Sequence, residues 1–135
     1  MLIIHMFPCL SDNYAFLVRD SATGKVACID TPDATAILAE AQKLGWHIDE
    51  IWNTHWHPDH AGGNQAIEKA LGTVALGPEE VQTRISPLAR VVRPGETVTL
   101  GESSAEVIDV GGHTLGHIAF YFADDEVAFV GDSLF

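Results

Sequence analysis

Positive charge is scarce in this 135-residue chain: 7 lysines and arginines face 19 aspartates and glutamates, for a formal net charge of −12. A field of that sign repels phosphate backbones, which argues against nucleic acid as substrate or partner. Carboxylates that hold cations also count against the total until metal arrives, so part of the excess can be local compensation for bound ions. Cysteine is scarcer still. The 2 cysteines, Cys9 and Cys28, lie far apart in or near apolar runs, which argues against a disulfide framework and for a reducing cytoplasm. No apolar stretch approaches membrane-spanning length. The opening Met1-Leu2-Ile3-Ile4-His5-Met6-Phe7 has no basic n-region and no small-residue cleavage site, so the expected location is cytoplasmic, with no membrane partner. Repeats, low-complexity tracts and linkers are also missing, and residues 1–135 read as one domain.

What is present is core-forming material: 47% hydrophobic and 19% charged residues, enough for a folded domain. Leu2–Phe7, Tyr14–Arg19 and Lys25–Asp30 read as three strands of an antiparallel meander. A helix follows, with Thr31 as its cap and Pro32 in its first turn. Ile37, Leu38, Ala41 and Leu44 share one face, and Gly45 stops it. Ile48–Asn53 is the next strand, Thr54–Gly63 a loop, and Asn64–Leu71 a helix ended by Gly72. Thr73–Leu76 reads as a strand and Pro78–Arg84 as a short helix, while Leu88–Pro94 shows no clear pattern. Thr97–Leu100 with Ala105–Val110, and Ile118–Phe122 with Glu126–Gly131, alternate as two hairpins. Helices mixed with antiparallel pairs at both ends imply an α/β (α+β) fold with helices packed on sheets.

The loop Thr54-His55-Trp56-His57-Pro58-Asp59-His60 gathers three of the 7 histidines with an aspartate. A His-x-His-x-Asp-His pattern arises by chance about once in a thousand sequences of this composition. In an extended stretch His55 and His57 point to one side, so both imidazoles reach one ion. Pro58 then turns the chain and lets Asp59 and His60 face a neighbouring point, which suits two metals. Imidazole nitrogen and carboxylate oxygen favour zinc and also accept iron or manganese. The bland alternative is a polar loop of solvated histidines. Two further groups stand at strand ends: His113 in Gly111-Gly112-His113-Thr114-Leu115-Gly116-His117, where glycines allow close backbone approach, and Asp132 in Gly131-Asp132-Ser133. A carboxylate at Asp132 is suited to bridging two cations.

These motifs resemble the metallo-β-lactamase superfamily, and within it glyoxalase II, the hydroxyacylglutathione hydrolases. Pro8-Cys9-Leu10-Ser11-Asp12-Asn13-Tyr14 and Ile29-Asp30-Thr31-Pro32 are similar to that branch too, so the likeness runs along essentially the whole chain. It implies an αββα sandwich. It implies that His55, His57 and His113 hold a first metal, that Asp59 and His60 hold a second, and that Asp132 bridges both. Asp30 and His117 are implied to fix imidazole orientation from behind the ligands. The implied reaction is attack on a thioester such as S-lactoylglutathione by a metal-bound hydroxide, with Asp59 and Asp132 in the catalytic roles.

Members of that branch continue beyond the position matched by Phe135, with another histidine for the second metal and a helical region that grips glutathione. The expectations that follow are a fold incomplete at its C-terminus, a weakly held second metal, poor glutathione affinity, and self-association through an uncovered edge. Two other readings stay open: a mono-iron persulfide dioxygenase-like enzyme using two histidines and an aspartate, and a metal-binding fragment with impaired catalysis. Cys9, Cys28, His5 and His47 read as structural or solvated. Trp46 and Trp52 read as packing residues, and Trp56 as either packing or a flank of the metal loop.

Overall fold

A computed structural model describes residues 1–9, 13–110, 117–130 and 133–134, without the side chains of Pro58, Asp59, Ser133 and Leu134. Its first sheet is formed by β1 (Leu2–Cys9), β2 (Asn13–Asp20), β3 (Val26–Ile29), β4 (Glu50–Trp52), β5 (Val74–Gly77) and β6 (Arg90–Val91), in that spatial order. The meander β1–β2–β3 is antiparallel as expected. From β3 onward the pairs are parallel, and helices supply the crossovers between β3, β4, β5 and β6. These helices are α1 (Ala34–Leu44), α2 (Pro58–Ala61), α3 (Asn64–Leu71) and α4 (Glu79–Arg84). The second sheet is antiparallel, ordered β11 (Ser133–Leu134), β10 (Val127–Val130), β9 (Ile118–Phe122), β8 (Ser103–Asp109) and β7 (Thr97–Leu100). Both expected hairpins, β7–β8 and β9–β10, are present.

Strand alternation divides the interior into two cores. Along β2, Phe16 and Val18 join the apolar layer between the sheets, while Ala15 and Leu17 face the helix-covered side. The inter-sheet layer is aromatic: Trp52, fully buried, stacks on Phe122 with ring centroids 5.7 Å apart and tilts against Phe120 at 5.0 Å. The other layer takes Ile37 and Ala41 from α1 and Ile67 from α3 onto Val26, Cys28, Ile51 and Ala75. Both cysteines are free and buried there, and burial pushes the Cys9 thiol up to about 11 and Cys28 well above its ordinary value. Neither is an activated nucleophile. No helix among the described residues is long and apolar enough to cross a membrane.

Three sequence expectations need correction. The cap of α1 is Asp33, whose side chain accepts from the Ala36 N–H. Thr31 is unavailable for that role because its hydroxyl donates to Asn64 Oδ1 at 2.6 Å. Residues 54–63, expected as loop, contain the single turn α2. The fourth strand is shorter than expected, and β6 falls in the stretch that showed no pattern.

The sheets are latched where β2 ends. Asp20 is fully buried and accepts from the Glu102 N–H at 3.0 Å, the Ser103 hydroxyl at 2.7 Å, the Thr23 hydroxyl at 2.7 Å and the Thr23 N–H at 3.1 Å. Burial alone raises a carboxyl pKa, but these donors outweigh it and hold Asp20 well below the usual carboxylate range. Gly101, at φ +60, makes the approach possible, since a Cβ there would overlap Asp20 Oδ2 and Thr23 Oγ1. Gly101→Ala is therefore expected to cost about 1–3 kcal/mol through strain and a displaced latch. Urea unfolding checks this, and an unchanged midpoint would show that the latch carries little.

Candidate metal centre

The register of two parallel strands places the site. Ile29 pairs with Trp52, so the residues that follow, Asp30 and Asn53, leave the sheet side by side at its carboxyl edge, where parallel sheets gather their sites. Asp30 turns the chain there with φ 63, a left-handed conformation that a short polar side chain tolerates better than most. Its N–H donates to Trp52 O at 2.9 Å. Asn53 clamps the next segment: its Nδ2 donates to Asn64 Oδ1 at 3.1 Å and to His60 O at 3.3 Å, and Asn64 Nδ2 donates back to Asn53 Oδ1 at 2.6 Å. Gly63 closes the turn against Thr31, whose carbonyl oxygen would lie 2.8 Å from any Cβ at that position. The loop from Thr54 to Gly63 is thus pinned at both ends.

Asp30, 2% exposed, is the hub. Oδ1 accepts from the Thr54 N–H at 2.7 Å, and Oδ2 accepts from the Thr54 hydroxyl at 2.6 Å and from His60 Nδ1 at 3.1 Å. A hydroxyl has a single proton. With that proton directed at Asp30, Thr54 Oγ1 meets His55 Nδ1, 3.0 Å away, as an acceptor, so His55 carries its proton on Nδ1. His60 Nδ1, facing a carboxylate, carries its proton there too. In both rings the acceptor lone pair therefore belongs to Nε2, the arrangement in which a neutral imidazole ligates a metal and is oriented from behind.

Four imidazoles converge. The His55 ring centroid lies 4.1 Å from that of His60, 4.4 Å from His117 and 4.9 Å from His57. One ligand atom each from Asp30, His55 and His60 lie within 4.8 Å of one another, and all three residues are buried. Burial pushes the His55 pKa from 6.5 down to about 4; the His60, His117 and His57 rings add to the fall, and Asp30 opposes it. A cluster of converging imidazoles, with His55 buried and neutral and His60 oriented by Asp30, fits a divalent cation that prefers nitrogen ligands.

The depressed pKa sets a stability prediction. A histidine whose folded pKa lies below its unfolded value contributes fully above the unfolded value, here 6.5, and that contribution is lost as pH falls toward about 4. Asp20, also depressed, keeps its contribution above its ordinary 3.8 and loses it only at lower pH. Two separate losses are expected in urea midpoints measured from pH 7 to pH 2, the first reduced in His55→Asn. A single loss below pH 4 would contradict the burial of His55 in neutral form.

Of the residues expected to form the site, the structure brings His55, His57, His60, Asp30 and His117 together. His117 arrives from the second sheet: its carbonyl accepts from the Val110 N–H at 3.1 Å, and Ile118 N–H donates to Thr54 O at 2.8 Å. His113 and Asp132 lie outside the described residues, and of Asp59 only the backbone, in α2, is described. Trp56 flanks the loop with its ring 4.8 Å from that of His57. His5 and His47 stand apart, paired with Glu40 at 2.9 Å and Asp49 at 3.4 Å. Sequence reasoning missed Thr54 and the Asn53–Asn64 clamp; the polar run that opens the histidine motif was the available signal.

The family model for the metallo-β-lactamase superfamily matches residues 11–135. The chain belongs to that superfamily. It is 56% identical over 135 residues to a hydroxyacylglutathione hydrolase of Hyphomonas neptunium and 55% identical over 135 residues to one of Erythrobacter litoralis; each match covers 100% of this chain and 53% of the relative. The chain thus spans about half the length of the curated relatives it matches. Among solved structures, the BLEG-1 B3 metallo-β-lactamase superposes with a TM-score of 0.83 at 19% identity, over 98% of this chain and 73% of that one. This likeness bears on the fold alone and agrees with the expected two-sheet sandwich.

Proposed function

We propose that this chain carries the metal site of a hydrolase acting on thioesters such as S-lactoylglutathione, with zinc as its ion. The observation that supports this most is the buried pair His55 and His60, whose Nδ1 atoms are held from behind by Thr54 and Asp30. The names of the relatives add the substrate class. In this reading His55, His57 and His113 would hold a first ion, Asp59 and His60 a second, and Asp132 would serve both as a ligand. A divalent ion supplies Lewis acidity there, polarising a carbonyl and lowering the pKa of water to about 7.

The chain's own residues do the rest. Asp30 keeps two rings in one tautomer and orientation. Burial keeps His55 neutral at physiological pH, so its lone pair is not lost to a proton. The Asn53–Asn64 clamp holds the loop in register with the sheet, limiting the reorganisation needed on binding. A cleft of about 240 Å³ beside the cluster, reaching His117 and Ile118, gives room for a small acyl group.

Elemental analysis with an assay on S-lactoylglutathione tests the proposal. Zinc retained with thioester cleavage is the expected result. Iron retained with oxygen consumption, or metal without turnover over a panel of thioesters, would overturn it.

A further inference from the structure

Few cations are available to an anionic ligand, and one of them is set beside the metal loop. Arg84, the last residue of α4, is solvent-exposed and holds its guanidinium carbon 4.6 Å from the centre of the Trp56 ring. Trp56 meets His57 at 4.8 Å, and His57 meets His55 at 4.9 Å. The helix carrying Arg84 is anchored by buried Val81, whose carbonyl accepts from the Ile85 and Ser86 N–H groups. Arg84 has no ion-pair partner among the described residues, whereas Lys25 is paired with Glu50 at 3.0 Å and Lys43 with Glu40 at 3.6 Å. Stacking occupies the face of a guanidinium and leaves the N–H groups in its plane to donate. Those donors form the fork that matches a carboxylate.

The cleft beside His117 is lined by three carboxylates, Glu79, Glu80 and Asp109, against one cation, Arg93, a net negative lining that disfavours a carboxylate.

We infer that Arg84 determines specificity by receiving a carboxylate of the glutathione part of a thioester, stacked on Trp56 at the mouth of the metal site. The inference takes its ligand from the hydrolase reading above, and its test is separable from that reading. The zinc-loaded protein is titrated by calorimetry with S-methylglutathione, a thioether that cannot be hydrolysed, and with its dimethyl ester. The parent is expected to prefer the free acid by about tenfold or more, in keeping with a charge-assisted pair. Arg84→Gln should erase that preference. Arg84→Lys should keep only part of it, since charge remains but the planar fork is gone. A preference of equal size in the parent and in R84Q, or none in the parent, would overturn the assignment. Turnover of S-lactoylglutathione is followed in parallel. A preference without turnover would sink the hydrolase reading and leave Arg84 standing, and turnover without a preference would do the reverse.

Discussion

Replacing His55 with alanine is expected to remove the zinc retention and thioester hydrolysis proposed for this chain, while leaving the fold in place. His55 is the centre of the cluster, with the rings of His60, His117 and His57 at 4.1, 4.4 and 4.9 Å. Loss of an outer partner of a metal ligand costs 10- to 100-fold in affinity or activity on the order of magnitude, and loss of a central ligand should exceed that. The readout that separates metal loss from unfolding is thermal. Zinc at about a hundred times its Kd stabilises a protein that binds it only when folded by about 2.7 kcal/mol. The parent should show that shift and His55→Ala should not, each measured against its own metal-free midpoint. A zinc shift of undiminished size in the variant would remove His55 from the ligand set.

Asp30→Ala is expected to damage fold and site together. The substitution strands three buried donors: the Thr54 N–H, the Thr54 hydroxyl and His60 Nδ1. Each orphaned donor costs about 1–3 kcal/mol, and partial relaxation brings the expected total to about 2–4 kcal/mol. Alanine also tolerates φ 63 less well than aspartate. With the carboxylate gone, the Thr54 hydroxyl can turn toward His55 and donate to Nδ1, which moves the ring proton to Nε2 and blocks ligation. Zinc affinity should therefore fall by more than the stability loss explains. Asp30→Asn keeps the left-handed turn and one acceptor, so it should recover most of the stability but little of the affinity. Equal recovery of both would mean that Asp30 is only structural.

The metal loop was legible because its chemistry is dense and local, and the strands and hairpins of both sheets followed from alternation. What stayed hidden depends on distant contacts. Thr31 is a good helix cap by type, yet its hydroxyl is taken by Asn64, 33 positions away, and Asp33 caps instead. The strands that became β4 and β5 were read, but their parallel order was not, because it depends on crossovers rather than on any strand's own pattern, and β6, only 2 residues long, is too short for a periodic signal. Asp30 was suggested by resemblance alone. Its control of two imidazole tautomers required the position of the Thr54 hydroxyl, which no spacing reveals. Arg84 carries no motif at all and becomes visible only where α4 lays it over Trp56.

The central prediction is that Asp30, acting directly on His60 and through Thr54 on His55, fixes the proton of both rings on Nδ1 and leaves Nε2 to face a metal. Long-range proton–nitrogen NMR of the histidine side chains, before and during a zinc titration, measures this directly. Both rings should carry their proton on Nδ1 in the metal-free protein at pH 7, and both Nε2 resonances should shift on zinc addition while the Nδ1 protons persist. An Nε2-protonated tautomer in either ring, or Nε2 resonances unmoved by zinc, would contradict it.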